Sequence, residues 1–149
     1  MVPLPAQEDG GTVSDRAEQQ LEVDAPRSAV YELLATADGL RRWLDAAELD
    51  PRVGGELRVL MRDAEAVGKV LAIDPPQHIS FTWQWTAEPT ATLGVVAFDA
   101  IDHGTRTHVT VRHVGLMGAA QVELHNELWR HWLARFAGAC QSRMSLQER

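Results

Sequence analysis

Histidine is the residue type with the clearest capacity for chemistry in this 149-residue chain, and His113 is the strongest candidate. In the segment TRTHVTVRHV, strict alternation places Val109, Val111 and His113 on one face of a predicted strand. If that face points inward, a neutral imidazole could hydrogen-bond the polar end of a ligand, or act as acid and base near neutral pH. The alternative is a hydrogen-bonded histidine near a cavity rim without a catalytic role. His125, near the start of the last predicted helix, is a second candidate of the same kind.

The spacing of the histidines does not predict a metal site. Six are present: His78, His103, His108, His113, His125 and His131. His125 and His131 are six residues apart, about 240° around a helix, so they do not share a face. His108 and His113 are five residues apart on a strand and point to opposite sides. The two others have no evident partner in the sequence. We therefore predict no metal ligands.

No nucleophile or cofactor motif is present. The chain contains no G-x-S-x-G, no G-x-G-x-x-G and no P-loop, and we predict no cofactor. Gly54 and Gly55 are typical of a tight turn entering a strand. The only cysteine, Cys140, lies on the apolar stripe of the last predicted helix, which favours a buried and unreactive thiol. No intrachain disulfide can form.

Three aromatic rings alternate in the segment ISFTWQW, at Phe81, Trp83 and Trp85. Each buried ring removes about 150–250 Å² of surface from water. The rings could therefore be ordinary core. They could equally line a pocket, because ligand pockets are built mainly from aromatic and aliphatic side chains. The pattern alone leaves both interpretations open.

Composition excludes some classes of function. The net charge of −7 and a pI near 5.3 argue against nucleic-acid binding, which needs a basic face. No run approaches the ~18 consecutive apolar residues of a membrane span, so membrane insertion is not expected. The first residues lack the basic and apolar regions of a secretory signal, which predicts a cytoplasmic location.

The order of predicted elements is strand, two short helices, antiparallel strands, long helix. Residues 1–16 have no periodicity and are predicted to be a flexible tail, and residues 17–145 to be one domain. The segment APRSAVYELLATADGLRRWL predicts two helices with a bend at Gly39. Alternation from residue 46 onward predicts hairpin-linked strands, and apolar steps of three and four predict a helix over about 119–143. An α+β fold follows, in which a curved antiparallel sheet of about six to seven strands wraps a long C-terminal helix.

Five segments in this order resemble the START-like (SRPBCC) superfamily, whose fold is called the helix-grip. The segments are EVDAPRSAVYELLATADGLRRWL, DPRVGGELRVLM, GKVLAIDPPQHISFTW, GTRTHVTVRHVGL and LWRHWLARF, which together span roughly residues 20–143. Within the superfamily the chain is similar to homologues of the activator of the heat-shock chaperone ATPase. The final helix has NELW where relatives commonly have a glycine before the tryptophan.

The resemblance implies a cavity between sheet and long helix that can hold an apolar ligand. The residues predicted to line it are Val59, Met61, Phe81, Trp83, Trp85, Val109, Val111, His113, Trp129, Trp132, Leu133 and Phe136. Binding of a small hydrophobic or aromatic ligand is the first functional hypothesis. The second is a cyclase or dehydratase of a polyketide-like substrate, with His113 as acid and base. The third is a protein-interaction role with a chaperone as partner. All three hypotheses are kept because fold analogy alone does not fix function.

Overall fold

A computed structural model describes residues 16–88 and 94–147 and confirms the predicted α+β class. The elements are β1 Arg16–Val23, α1 Arg27–Ala35, α2 Ala37–Leu40, β2 Ala46–Leu49, β3 Glu56–Met61, β4 Ala64–Asp74, β5 His78–Trp85, β6 Gly94–His103, β7 Arg106–Val114 and α3 Ala119–Gln147. The predicted tail lies outside the described residues except for Arg16, which begins β1.

The seven strands form one antiparallel sheet in the order β1-β7-β6-β5-β4-β3-β2. Val111 pairs with Phe98 of β6 on one side and with Gln19 of β1 on the other. This register turns the odd-numbered residues of β7 and the even-numbered residues of β6 towards the core. The predicted alternation is confirmed in β7, where Val109, Val111 and His113 are all buried.

Helix α3 packs its apolar stripe on the inner face of the sheet. Trp129, Trp132, Leu133, Phe136 and Cys140 are buried at steps of three and four, as amphipathic spacing requires. The helix ends at Gln147, four residues beyond the predicted end. Within the described ranges, no helix is both long and apolar enough to cross a membrane.

Aromatic rings fill the middle of the grip between sheet and helix. Trp43 packs edge to face with Phe136 at 5.2 Å and with Phe98 at 6.0 Å between ring centroids. Phe98 also meets Phe81 at 6.0 Å and Trp129 at 5.8 Å. Such pairs contribute about 0.5–1.5 kcal/mol each beyond their area burial. This part of the interior is packed core.

The two short helices do not bend where the sequence suggested. The break lies at Thr36, whose backbone is extended and whose hydroxyl accepts a hydrogen bond from Gly39 N at 2.9 Å, capping α2. Gly39 instead lies inside α2 and allows a close helix contact, since a Cβ there would be 2.0 Å from Glu32 O. The predicted bend at Gly39 was therefore wrong. The glycine is needed for close approach, and the threonine supplies the break.

Candidate functional site

A cavity of about 360 Å³ opens at the end of the grip where β5, β6 and β7 meet the start of α3. Its wall includes three residues predicted from the sequence, Trp83, Trp85 and His113, together with His125 from α3. Leu116 and Met117, in the connection between β7 and α3, form part of its rim. The volume falls within the range of about 300–1,000 Å³ that is typical of small-molecule sites.

His113 lines this cavity, and one hydrogen bond fixes the tautomer of its ring. Its Nδ1 accepts a hydrogen bond from Trp129 Nε1 at 3.1 Å, so the proton of the neutral ring lies on Nε2. Burial, and then the neighbouring His125 ring, lower the pKa of His113 to about 3. Protonation of Nδ1 would also place its N–H against the N–H of Trp129. The ring is therefore neutral at physiological pH, with only Nε2–H to offer a ligand.

Gly94 leaves space beside that Nε2. A Cβ at position 94 would lie 3.1 Å from His113 Nε2 and 3.1 Å from Val114 O. Gly94 also lines the cavity at the start of β6. A side chain here would press on the imidazole, so the glycine keeps the donor nitrogen uncovered.

His125 is held in one tautomer by two hydrogen bonds. Its Nδ1 lies 2.8 Å from Gln121 O, which can only accept, so Nδ1 carries the proton. Its Nε2 accepts a hydrogen bond from Trp85 Nε1 at 3.0 Å. The His125 and His113 rings meet edge to face, with centroids 4.7 Å apart. The bond to Gln121 O follows from the i,i+4 spacing of the helix. The bond from Trp85 forms because alternation along β5 turns this side chain towards α3.

Trp83 lines the cavity and has a buried donor without a partner among the described residues. The residue is 3% exposed, and its Nε1 is buried with no hydrogen-bond acceptor among the described residues. Its ring lies 5.5–5.9 Å from the rings of Trp85, Trp129 and His113. An unsatisfied buried donor costs about 1–3 kcal/mol, so a ligand that reaches this N–H through a shift of the neighbouring rings and accepts from it would recover part of that cost.

The other predicted cavity residues do not line this cavity. They belong to the packed core: Val59, Met61, Phe81, Val109, Val111, Trp129, Trp132, Leu133 and Phe136. Trp129 acts on the site indirectly, through its hydrogen bond to His113. Gly94 and Gln121 were not predicted. Gln121 could have been found from its i,i+4 spacing to His125, whereas no local pattern points to Gly94.

A second cavity of about 220 Å³ adjoins the first and shares Trp85, Glu88, Gln121 and His125 with it. Leu124 and Leu128 of α3 form its apolar side. The hydrogen-bonded pair of Trp85 and His125 therefore stands between two openings.

Solved structures share the fold at low sequence identity. CalU16 from Micromonospora echinospora superposes with a TM-score of 0.70 at 19% identity, covering 87% of this chain and 78% of that one. The Aha1 dimer from Colwellia psychrerythraea gives 0.71 at 17%, covering 84% and 95%. An HSP90 activator from Plasmodium falciparum gives 0.66 at 19%, covering 76% and 86%. These likenesses, all below 20% identity, show that the chain shares the helix-grip fold with these proteins.

The sequence comparisons give the family. No curated protein matches the sequence. Residues 24–141 match the model of one family, described as Activator of Hsp90 ATPase homolog 1-like protein. That match spans all the described elements from α1 to most of α3. The chain belongs to the Activator of Hsp90 ATPase homolog 1-like protein family.

Proposed function

We propose that this protein binds a small aromatic or apolar ligand that carries one hydrogen-bond acceptor, in the cavity at the open end of the grip. The unpartnered indole N–H of Trp83 carries the proposal, because a buried donor beside an aromatic wall favours a ligand that accepts from it. The Nε2–H of His113 is a second donor beside Gly94.

The size of the cavity limits the ligand. An apolar cavity of about 150 Å³ holds one benzene. The volume of about 360 Å³ therefore suits a ligand of about two rings. Glu88 on the same wall disfavours an anionic ligand, so a neutral carbonyl compound fits the site better than a carboxylate.

A matched pair of probes tests the proposal. We expect 1-acetonaphthone to bind more tightly than 1-ethylnaphthalene, which has a similar shape and no acceptor. Trp83→Phe keeps an aromatic ring but removes the donor. It should weaken the binding of 1-acetonaphthone about two- to twelvefold and leave the affinity for 1-ethylnaphthalene unchanged. Isothermal titration calorimetry measures both affinities.

The same substitution at Trp132, which is buried in the core away from the cavity, is the control. Trp132→Phe should leave the difference between the two probes intact. Equal affinities for the two probes in the wild-type protein would refute the proposed donor. Absence of binding by either probe would refute the ligand class.

The enzyme hypothesis changes in one respect. A pKa of about 3 removes His113 as a general base near neutral pH. A cyclase-type reaction at this cavity would use the Nε2–H to stabilise a developing oxyanion. The binding role therefore stands ahead of catalysis.

Chaperone binding is the second candidate function, because one structural neighbour is described as an HSP90 activator and the family is named for that activity. Addition of the purified protein to an Hsp90 ATPase assay tests it. Stimulation that Trp83→Phe leaves unchanged would locate the chaperone surface away from the cavity. No stimulation would remove this candidate.

A further inference from the structure

We infer that the outer face of the sheet carries a binding site for a divalent metal ion of the zinc class, formed by Glu22, His103 and His108. Three strands supply the ligands: β1 gives Glu22, the end of β6 gives His103, and β7 gives His108. Glu22 lies directly opposite His108 in the β1–β7 register. One ligand atom from each side chain lies within 4.8 Å of the other two.

A chain of hydrogen bonds fixes the tautomer of His108. The Gln20 amide nitrogen donates to Glu18 Oε2 at 2.9 Å, which sets the orientation of that amide. Gln20 Oε1 therefore faces His108 Nε2 at 3.0 Å, and Nε2 must carry the proton. Nδ1 of His108 is left as a bare lone pair. Metal-binding histidines are typically held in this way, by an acceptor on the nitrogen that does not bind the metal.

That lone pair is buried and unsatisfied. His108 Nδ1 has no hydrogen-bond partner among the described residues. The atom it faces is Glu22 Oε2, at 3.7 Å. When the His108 ring is neutral, two electron-pair donors lie 3.7 Å apart here. A cation placed between them would relieve the repulsion and satisfy both.

Glu22 is arranged to offer a single oxygen. Its Oε2 lies 2.6 Å from His103 Nδ1, and its Oε1 lies 3.4 Å from Arg106 Nε. The two oxygens of Glu22 therefore have separate partners, His103 at Oε2 and Arg106 at Oε1. A metal ion would take the place of the proton shared by His103 and Oε2. Arg106 would keep its ion pair with Glu22 Oε1.

Two of the three ligand–ligand separations bracket the value of a tetrahedral zinc site, and all three are within 4.8 Å. Zinc–ligand bonds of about 2.0–2.1 Å place ligand atoms about 3.3 Å apart. The contacts from Glu22 Oε2 to the two histidines, 2.6 and 3.7 Å, lie on either side of that value. The His103 side chain is half exposed, so its ring can turn to complete the site. Two imidazoles and one carboxylate are a ligand set that zinc accepts, and they leave a position open to water.

The site is separate from the ligand cavity and does not rest on the proposed binding function. His108 points to the outer face of β7, whereas His113 on the same strand points inward. A metal ion held here would tie β1 to the β6–β7 hairpin. His78 and His103, which have no evident partner in the sequence, each contact a carboxylate in the structure, and the His103 ring also lies 5.4 Å from the His108 ring between centroids.

Zinc titration of the chelator-treated full chain tests the site. Calorimetry in a non-chelating buffer should show one zinc ion per chain. His108→Gln and Glu22→Gln each remove one ligand and should weaken binding by more than about a hundredfold, whereas Gln20→Met removes only the supporting acceptor and should weaken it about ten- to a hundredfold. Bound Co²⁺ should show visible d–d bands without thiolate charge transfer, because Cys140 is buried in the core.

His78→Gln is the matched control, because His78 also faces a carboxylate, with Nδ1 2.8 Å from Asp99 Oδ1. This variant should bind zinc like the wild-type protein. Wild-type affinity in His108→Gln, an equal loss in His78→Gln, or several weak equivalents in place of one would each overturn the proposal. All the substituted side chains are solvent-exposed in part, and far-UV circular dichroism confirms that each variant is folded.

Discussion

The buried neutral His113 predicts a specific loss of stability at mildly acidic pH. Its pKa falls from 6.5 in the unfolded chain to about 3 in the folded one, through burial and then through His125. Between these values the unfolded chain binds a proton that the folded chain does not. The contribution is therefore fully present above about pH 6.5 and is lost as the pH falls towards 3. Each pH unit within this window costs about 1.4 kcal/mol.

Urea unfolding at pH 7.5 and pH 5.0 measures the effect. The 1.5 units between 6.5 and 5.0 correspond to about 2 kcal/mol attributable to His113. His113→Gln retains an acceptor for Trp129 but cannot titrate, so its stability should fall by about 2 kcal/mol less than that of the wild-type protein over the same range. Tryptophan fluorescence reports the transition, since Trp83 and Trp129 both lie against the His113 ring.

The stability change of His113→Gln is subtracted from that of the wild-type protein. The other titrating groups contribute equally to both, so the difference reports His113. His131→Gln, at an exposed histidine of α3, should keep the wild-type pH dependence. The reasoning is refuted if His113→Gln and the wild-type protein lose equal stability between the two pH values. His113 would then be protonated in the folded state at pH 5.0, and its Nδ1 would no longer accept the hydrogen bond from Trp129.

Two further predictions test the packed core. Phe136→Ala removes a fully buried ring and should cost about 3–5 kcal/mol in urea unfolding, whereas Met117→Ala at the exposed cavity rim should change stability by less than about 0.5 kcal/mol. Equal costs would show that the middle of the grip is hollow. Burial raises the pKa of the Cys140 thiol to about 12, so a thiol reagent should label it only in urea, and rapid labelling of the folded protein would contradict this placement.

The sequence pattern predicted the faces of the elements well because side-chain periodicity follows directly from backbone geometry. Val59 and Met61 of β3 and Trp83 of β5 are buried as alternation requires. The helix break was misplaced because propensity identifies glycine as a breaker without showing what packs against it. At Gly39 the reason for the glycine is the Glu32 carbonyl, which comes close only when the two helices dock.

The site was predictable only where it depends on periodicity. Alternation turned Trp83, Trp85 and His113 inward, but it could not show that Phe81 packs into the core while Trp85 reaches a cavity wall. That difference depends on the distance of each ring from the end of the grip. Neither the sequence spacing nor the resemblance contains that distance.

The two histidines of β7 show how far the face of a sheet determines chemistry. His108 and His113 lie five residues apart on one strand, and each is fixed as an Nε2–H tautomer by one neighbour. On the inner face, Trp129 donates to Nδ1, and burial keeps the His113 ring neutral beside an apolar cavity. On the outer face, Gln20 accepts from Nε2, and Nδ1 faces the Glu22 carboxylate. The same tautomer therefore suits one ring to donate to a neutral ligand, and the other to bind the cation that we propose.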